Sequence, residues 1–315
     1  MTFPLLYFPT RISILDDDYH FADTCKRLLE REDFSVTVHR RPETLIEDMN
    51  AESLEKTLKI NVCITEETTF GIHESVLNLR GLVDVLQNPP TLRSLVFLDY
   101  EMPFGTGLDI RKHFHNAFVK AVLLTGAADE KIAVEAFNKG LIDGYLKKQD
   151  TNLATSVLEA AHRFVWTYFI ELSRYIGQGI EDVKGILECP KIARWLYDFV
   201  TLRDVNAFCL LSTDGLFLIQ KKDGSYHILK LVLKDHLTEL LFSDSYDISK
   251  DLREDLLEGR KTFLFFEKDT YKLPKSNFEA YAYPVREDNG VSYAMVCLDL
   301  IEGLHFFDRN DLKHL

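Results

Sequence analysis

A chain of 315 residues is long for one domain, and 46% hydrophobic with 28% charged residues marks a folded protein able to bury a core. The formal net charge of −13 repels a phosphate backbone, and with no basic stripe in view it disfavours direct nucleic-acid binding. Cys25, Cys63, Cys189, Cys209 and Cys297 form no Cys-x-x-Cys pair, which points to reduced thiols and away from a disulfide framework or zinc knuckle.

No apolar run approaches membrane-spanning length. Met1 to Thr10 is apolar but short, broken by Pro4 and Pro9, and has no basic leader. The expected location is the cytoplasm.

In chain order, Arg11–Leu15 reads as a buried strand running out to Asp16, Asp17 and Asp18. Helical spacing follows over 20–31, alternation over 34–39, and Pro42 opens a further helix to about Asn50. From 51 to 92 the rhythm is lost. This stretch reads as an insertion with one helix over 73–87, ending in Asn88-Pro89-Pro90.

Regular alternation then returns. A strand over 94–98 ends at Asp99, with a helix at 107–117, a strand at 120–124, a helix at 129–139 and a strand at 144–147. Short strands alternating with helices predict a doubly wound parallel sheet. Residues 151–180 read as one long helix. Its seam of Leu153, Val157, Ala161, Phe164, Tyr168, Leu172 and Ile176 is wide enough for a partner helix or for the chain's own sheet. A second helix opens at Pro190 and runs through Val200.

The last part changes character. Asp214-Gly215, Asp223-Gly224 and Asn289-Gly290 punctuate β-rich runs, a hairpin signature. Strands over 207–212, 215–220, 226–233, 262–267, 278–286 and 291–299, with helices at 235–243 and 248–258, predict an antiparallel α+β domain. The expected division is 1–150, 151–185 as a connecting helix, and 186–315.

Asp16, Asp17 and Asp99 all fall at the C-terminal ends of predicted parallel strands, the edge where open α/β folds place their sites. Carboxylates converging there repel one another, and a hard divalent cation relieves the repulsion. An aspartate beside such an ion can attack a phosphoryl donor.

Four segments carry a family resemblance. They are Leu15-Asp16-Asp17-Asp18, Leu98 through Gly107 with its Met102-Pro103, Leu123-Leu124-Thr125-Gly126-Ala127, and Gly140 through Lys148. In this order they resemble the receiver domains of bacterial two-component response regulators, over about residues 11–150. The resemblance implies a flavodoxin-like fold with a five-stranded parallel sheet. It implies Asp99 as phosphoacceptor, with magnesium held by Asp16, Asp17, Asp99 and the backbone carbonyl of Glu101. It further implies Lys148 as the phosphoryl partner, Thr125 and Tyr145 as switch residues, and a sensor histidine kinase or phosphotransfer protein as donor. Catalysis would be limited to the domain's own phosphoryl transfer and dephosphorylation. Lys147 competes with Lys148, whose place rests on its distance from Tyr145. The family's usual Pro after the lysine is Gln149 here, so a looser loop is expected.

The second half shows no phosphate loop, no cyclic-dinucleotide motif and no basic reading helix. Its order of hairpin, helices and strands resembles PAS-like or GAF-like folds in shape only. Three outputs stay open: a protein- or ligand-binding module driven through a homodimer along 151–180, a catalytic or nucleotide-binding module, and direct control of transcription. Candidate polar residues there are Asp214, Lys230, Asp235, His236 and Glu267.

Overall fold

The computed structural model describes residues 3–51, 58–59, 62–67, 73–126, 130–177, 189–212, 215–232, 248–264 and 282–297. The chain divides into two compact units and crosses between them four times. Residues 9–59 and 89–175 form the site unit; residues 1–8, 60–88 and 176–315 form the second unit.

Strand β1 (Leu6–Tyr7) lies in the second unit, and β2 (Arg11–Leu15) and β3 (Ser35–His39) in the site unit. The chain then returns to the second unit for β4 (Cys63–Glu67), β5 (His73–Leu77) and the helix Leu79–Gln87. The site unit is completed by β6 (Arg93–Asp99), the short pair β7 (Glu101–Met102) and β8 (Gly105–Thr106), β9 (Lys120–Thr125), β10 (Gly144–Lys147) and the long helix Leu153–Ile176. Beyond it lie the helix Pro190–Leu202, β11 (Val205–Ser212), β12 (Leu216–Lys221), β13 (Tyr226–Leu231), the helix Lys250–Leu257, β14 (Lys261–Phe263), β15 (Ala282–Pro284), β16 (Arg286–Asp288) and β17 (Val291–Cys297).

The site unit is the expected five-stranded parallel sheet, in order β10-β9-β6-β2-β3. Its central strands are apolar and buried along their length: Ile12, Ile14 and Leu15 on β2, Leu95 to Leu98 on β6, Ala121 to Leu124 on β9. Burial on both faces is what a parallel sheet wrapped by helices demands. On one face Leu45, Met49, Ile110, Phe114, Ala133, Ala136 and Ile142 close a core against Leu15, Val96, Leu98 and Leu123. Asp18 starts the first helix, Tyr19–Glu30, by accepting from the His20 and Phe21 amides at 3.0 and 3.1 Å.

The long helix meets the site unit at Phe34 and His162, at Gly144 and Phe164, and at Phe118 and Tyr175. Val157, Ala161, Phe164, Tyr168, Leu172 and Ile176 are all buried, so the apolar seam is covered within the chain. Gly144 is part of the reason: a Cβ there would press on the Phe164 ring, and its absence lets the helix lie close to β10. Further along, the buried Lys120 ammonium sits 2.5 Å from Glu171 and 3.3 Å from Asp143. A homodimer through 151–180 therefore loses the exposed apolar stripe that motivated it.

Two other expectations are corrected. The helix over 73–87 is a strand followed by a helix. β5 pairs with β4, and Asn78, whose side chain accepts from the Gly81 amide at 3.1 Å, caps a helix that starts only at Leu79. The helix at 107–117 stops at Arg111, because Asn50 takes up the backbone beyond it, donating to the His113 carbonyl and accepting from the His115 amide, both at 2.7 Å.

The domain division also differs from the expected one. Residues 1–8 join the second unit because β1 pairs with β11, and 60–88 join it because the helix Leu79–Gln87 packs on β11. The sheet there runs β1-β11-β12-β13-β17-β16, antiparallel throughout. Trp195 and Phe199 of the helix Pro190–Leu202 pack against Tyr293, with ring centroids 5.0 and 6.0 Å away. The expected helix at 235–243 lies outside the described residues.

The Lys120 cluster gives a test. Glu171→Gln leaves a buried ammonium with one weaker partner, and should cost about 1–3 kcal/mol. Lys120→Met, which removes the charge and keeps the volume, should cost less than Glu171→Gln. Urea denaturation of the three proteins gives the order.

Candidate functional site

Asp16 and Asp17 directly follow β2, and Asp99 closes β6, its neighbour in the sheet. Parallel pairing sets Leu15 opposite Leu98, so both strands end side by side and their carboxylates converge. Oxygens of Asp16, Asp17 and Asp99 all lie within 4.8 Å of one another. Asp16 and Asp99 are buried and Asp17 is exposed. Asp16 is fixed from below, since its Oδ1 accepts from the Asp18 amide at 2.9 Å.

Lys148 enters from the turn after β10, where its amide donates to the Thr125 carbonyl at 2.9 Å. Its Nζ stands 2.8 Å from Asp16 Oδ2 and 2.8 Å from Asp99 Oδ2, and 5.0 Å from the centre of the Phe21 ring. One ammonium thus bridges two buried carboxylates above an aromatic face. Lys147 is exposed, with its backbone opposite Thr125 in the register.

The turn after Asp99 is tightly held. The Tyr100 amide donates to the Leu124 carbonyl, and the Gly107 amide to the Tyr100 carbonyl, both at 2.9 Å. A Cβ at Gly107 would collide with the Asp99 carbonyl oxygen, so only glycine lets the helix Gly107–Arg111 begin so close to the site. Thr106 caps that helix by accepting from the Asp109 amide at 3.2 Å. Glu101 lies in β7 within this turn, its side chain exposed.

Thr125 closes β9 fully buried, and its hydroxyl donates to the Leu146 carbonyl at a long 3.4 Å. Tyr145 is half-buried against the core that includes Leu123 and Ile142. Ala127 lies outside the described residues, as do Asp214, Asp235, His236 and Glu267. Lys230 is buried on β13, between Leu216 and Ala294 in the register.

The electrostatics follow from crowding. Burial, with the neighbouring Asp16 charge, pushes Asp99 up to about 6 against the opposing pull of Lys148. Burial raises Asp16 as well. Burial pulls Lys148 down, but its bonds to Asp16 and Asp99 outweigh this and raise it. Cys25 is pushed up to about 11 by burial and by Asp16, an inert thiol under the site. The donor set fits a hard divalent cation: three carboxylates, all oxygen, one side open to solvent. Among the described residues no other group of three metal-ligating side chains is so placed.

Two contributors have no role in the motif pattern: the Phe21 ring under the Lys148 ammonium and Asp18 as a helix cap. Asp18 is legible as an N-cap because it precedes a helical run. Phe21 is legible only as an apolar helix position, with nothing to place it beneath an ammonium.

No protein-family profile and no curated protein matches this sequence. Among solved structures, the response regulator LqsR of Legionella pneumophila aligns over 100% of this chain and 98% of its own, with TM-score 0.71 at 21% identity. This likeness shows a shared fold for the whole chain. An adenylate cyclase from Rhodopirellula baltica (19% identity, 56% of this chain, 98% of its own, TM-score 0.35) aligns over part of it. So does a CheY-like receiver domain protein from Methanospirillum hungatei (19% identity, 52% and 98%, TM-score 0.34). Scores that low carry no weight. The PAS-like or GAF-like resemblance of the second unit gains no support from these comparisons.

The raised Asp99 value sets a stability test. Between the ordinary aspartate value of about 3.9 and about 6, the folded chain keeps a proton that the unfolded chain has released. Without divalent cations, this group's contribution therefore falls as pH rises through that window. Asp99→Asn should match wild type near pH 4 and exceed it by about 1–2 kcal/mol at pH 7. Millimolar magnesium should narrow the gap, as read by urea denaturation at each pH.

Proposed function

We propose that this chain is a two-component response regulator, whose site unit accepts a phosphoryl group on Asp99 and switches the second unit. The supporting observation is one ammonium, Lys148, lying 2.8 Å from both Asp16 and Asp99 at the C-terminal edge of a parallel sheet. A purely structural ion pair needs no third carboxylate beside it and no open side.

The Asp99 carboxylate attacks the phosphorus of a phosphohistidine on a sensor kinase or phosphotransfer protein. The O–P bond forms as the N–P bond breaks, and the electron pair leaves on the imidazole. Magnesium, held by Asp16, Asp17, Asp99 and the Glu101 carbonyl, would neutralise charge on the phosphoryl oxygens. Lys148 moves from sharing the Asp99 carboxylate to pairing with a phosphoryl oxygen, a shift its flexible stem permits. The Thr125 hydroxyl, only loosely engaged at 3.4 Å, turns to another of those oxygens. Tyr145, on the strand beside Thr125, follows into the space vacated.

The second unit acts by engaging a protein or small ligand. A net charge of −13 favours that over direct DNA contact.

Phosphoryl uptake from acetyl phosphate with magnesium tests the proposal. Wild type should form an acid-stable, hydroxylamine-labile acyl phosphate, and Asp99→Asn none. Lys148→Ala should slow uptake by about 10–100-fold, and Asp17→Asn should raise the magnesium needed by about 10–100-fold. Undiminished label on Asp99→Asn sinks the assignment.

A further inference from the structure

We infer that the second unit reads the state of the Asp99 site through the roots of strands β2 and β6, an inference that rests on the phosphoacceptor role proposed above. The two strands that carry the site carboxylates are also the two that enter directly from the second unit. β1 is separated from β2 by Phe8, Pro9 and Thr10 alone, and the helix Leu79–Gln87 is followed after five residues by β6. Both of those second-unit elements end on the same strand. β1 pairs with β11 through Leu6↔Cys209 and Tyr7↔Phe208, and Leu210 donates its amide to the Leu5 carbonyl at 2.6 Å. The helix Leu79–Gln87 packs on β11 too. Two stretches of chain therefore run from elements seated on β11, one from β1 to Asp16 and the other from the helix Leu79–Gln87 to Asp99.

Where the two stretches enter the site unit they are fastened together. The Thr10 and Ser94 hydroxyls share a buried hydrogen bond of 2.6 Å, and the Arg11 amide donates to the Leu92 carbonyl at 2.8 Å. Thr10, Leu92 and Ser94 are all buried. β2 and β6 meet at Arg11↔Arg93, pass an irregularity in register at Ser94, and then stay paired from Ile12↔Leu95 up to Leu15↔Leu98, one residue short of the carboxylates. The Thr10–Ser94 hydroxyl bond spans that irregularity, and the paired stretch beyond it resists extension, so a change in the Asp16–Asp99 spacing reaches the roots as a displacement of both strands. The hydroxyl pair keeps their roots from moving apart, and β11 receives the two together.

Hydrogen exchange of the full-length chain, with and without magnesium and beryllofluoride, tests this. In wild type, amides of β6 and of β11 should both change protection several-fold when the mimic is added. In the Thr10→Val/Ser94→Ala double variant the β6 change should remain and the β11 change should vanish. A wild-type response confined to β6, or a β11 response that survives in the double variant, overturns the inference. If the mimic leaves β6 itself unchanged, the phosphoacceptor reading is what has failed. Val122→Ala then decides the coupling, since it loosens β9 in the site unit core without touching the carboxylates. Faster exchange that extends to β11 supports the coupling, and faster exchange confined to the site unit overturns it.

Discussion

Asp16 and Asp99 share one ammonium, and the rest of the site unit is arranged around that bond. Two carboxylates buried at the ends of adjacent strands are costly, because each lacks water and each repels the other. Lys148 compensates for both at 2.8 Å, and a third carboxylate, Asp17, waits at the open side. The balance is incomplete, as the elevation of Asp99 to about 6 shows. A site left short of positive charge at neutral pH favours whatever cation supplies it. It also keeps Lys148 divided between two partners.

That bond dictates geometry elsewhere. Lys148 reaches the carboxylates because β10 lies two strands from β6 and its final turn hooks onto Thr125. Asp99 is held in place by a turn whose amides are bonded to Leu124 and Tyr100 and whose helix can start only at a glycine. Thr125 sits at the hub: its carbonyl holds Lys148, its hydroxyl is weakly held, and its strand neighbour in the register is Lys147. Thr125 is thus firmly held by its backbone and loosely by its side chain.

Much of the site unit was legible in the sequence, for a definite reason. Strands buried on both faces are near-continuous apolar runs, and the acidic residues that interrupt them mark strand ends, so Asp16, Asp17 and Asp99 could be placed on one edge before any fold was seen. Lys148 over Lys147 was legible only from spacing, and the structure puts Lys148 on the carboxylates. What failed were boundaries set by tertiary partners. Nothing local in His73–Leu77 says that it will pair with Cys63–Glu67, and its apolar spacing fits a helix equally well. Likewise the seam of the long helix has the period of a dimer interface. The same period serves a helix packed on its own sheet, and Gly144, which admits Phe164, lies outside the seam.

The interleaving of the two units explains why residues 51–92 resisted a reading. Judged as part of an α/β alternation, they break the rhythm; judged as part of an antiparallel α+β unit, a hairpin and an amphipathic helix are ordinary. The helix Leu79–Gln87 buries Leu82, Val83, Val85 and Leu86, which makes it core and no ornament of a loop. An insertion that forms part of another unit's core cannot be dispensable to that unit. The first eight residues behave in the same way, with Phe3, Leu5, Leu6 and Phe8 all buried. The second unit thus takes its core from three separated stretches, and the two earlier ones lead straight into the strands that carry Asp16 and Asp99. The chain crosses between the units four times, and just past two of those crossings the buried Thr10–Ser94 hydroxyl bond ties the entering strands to each other.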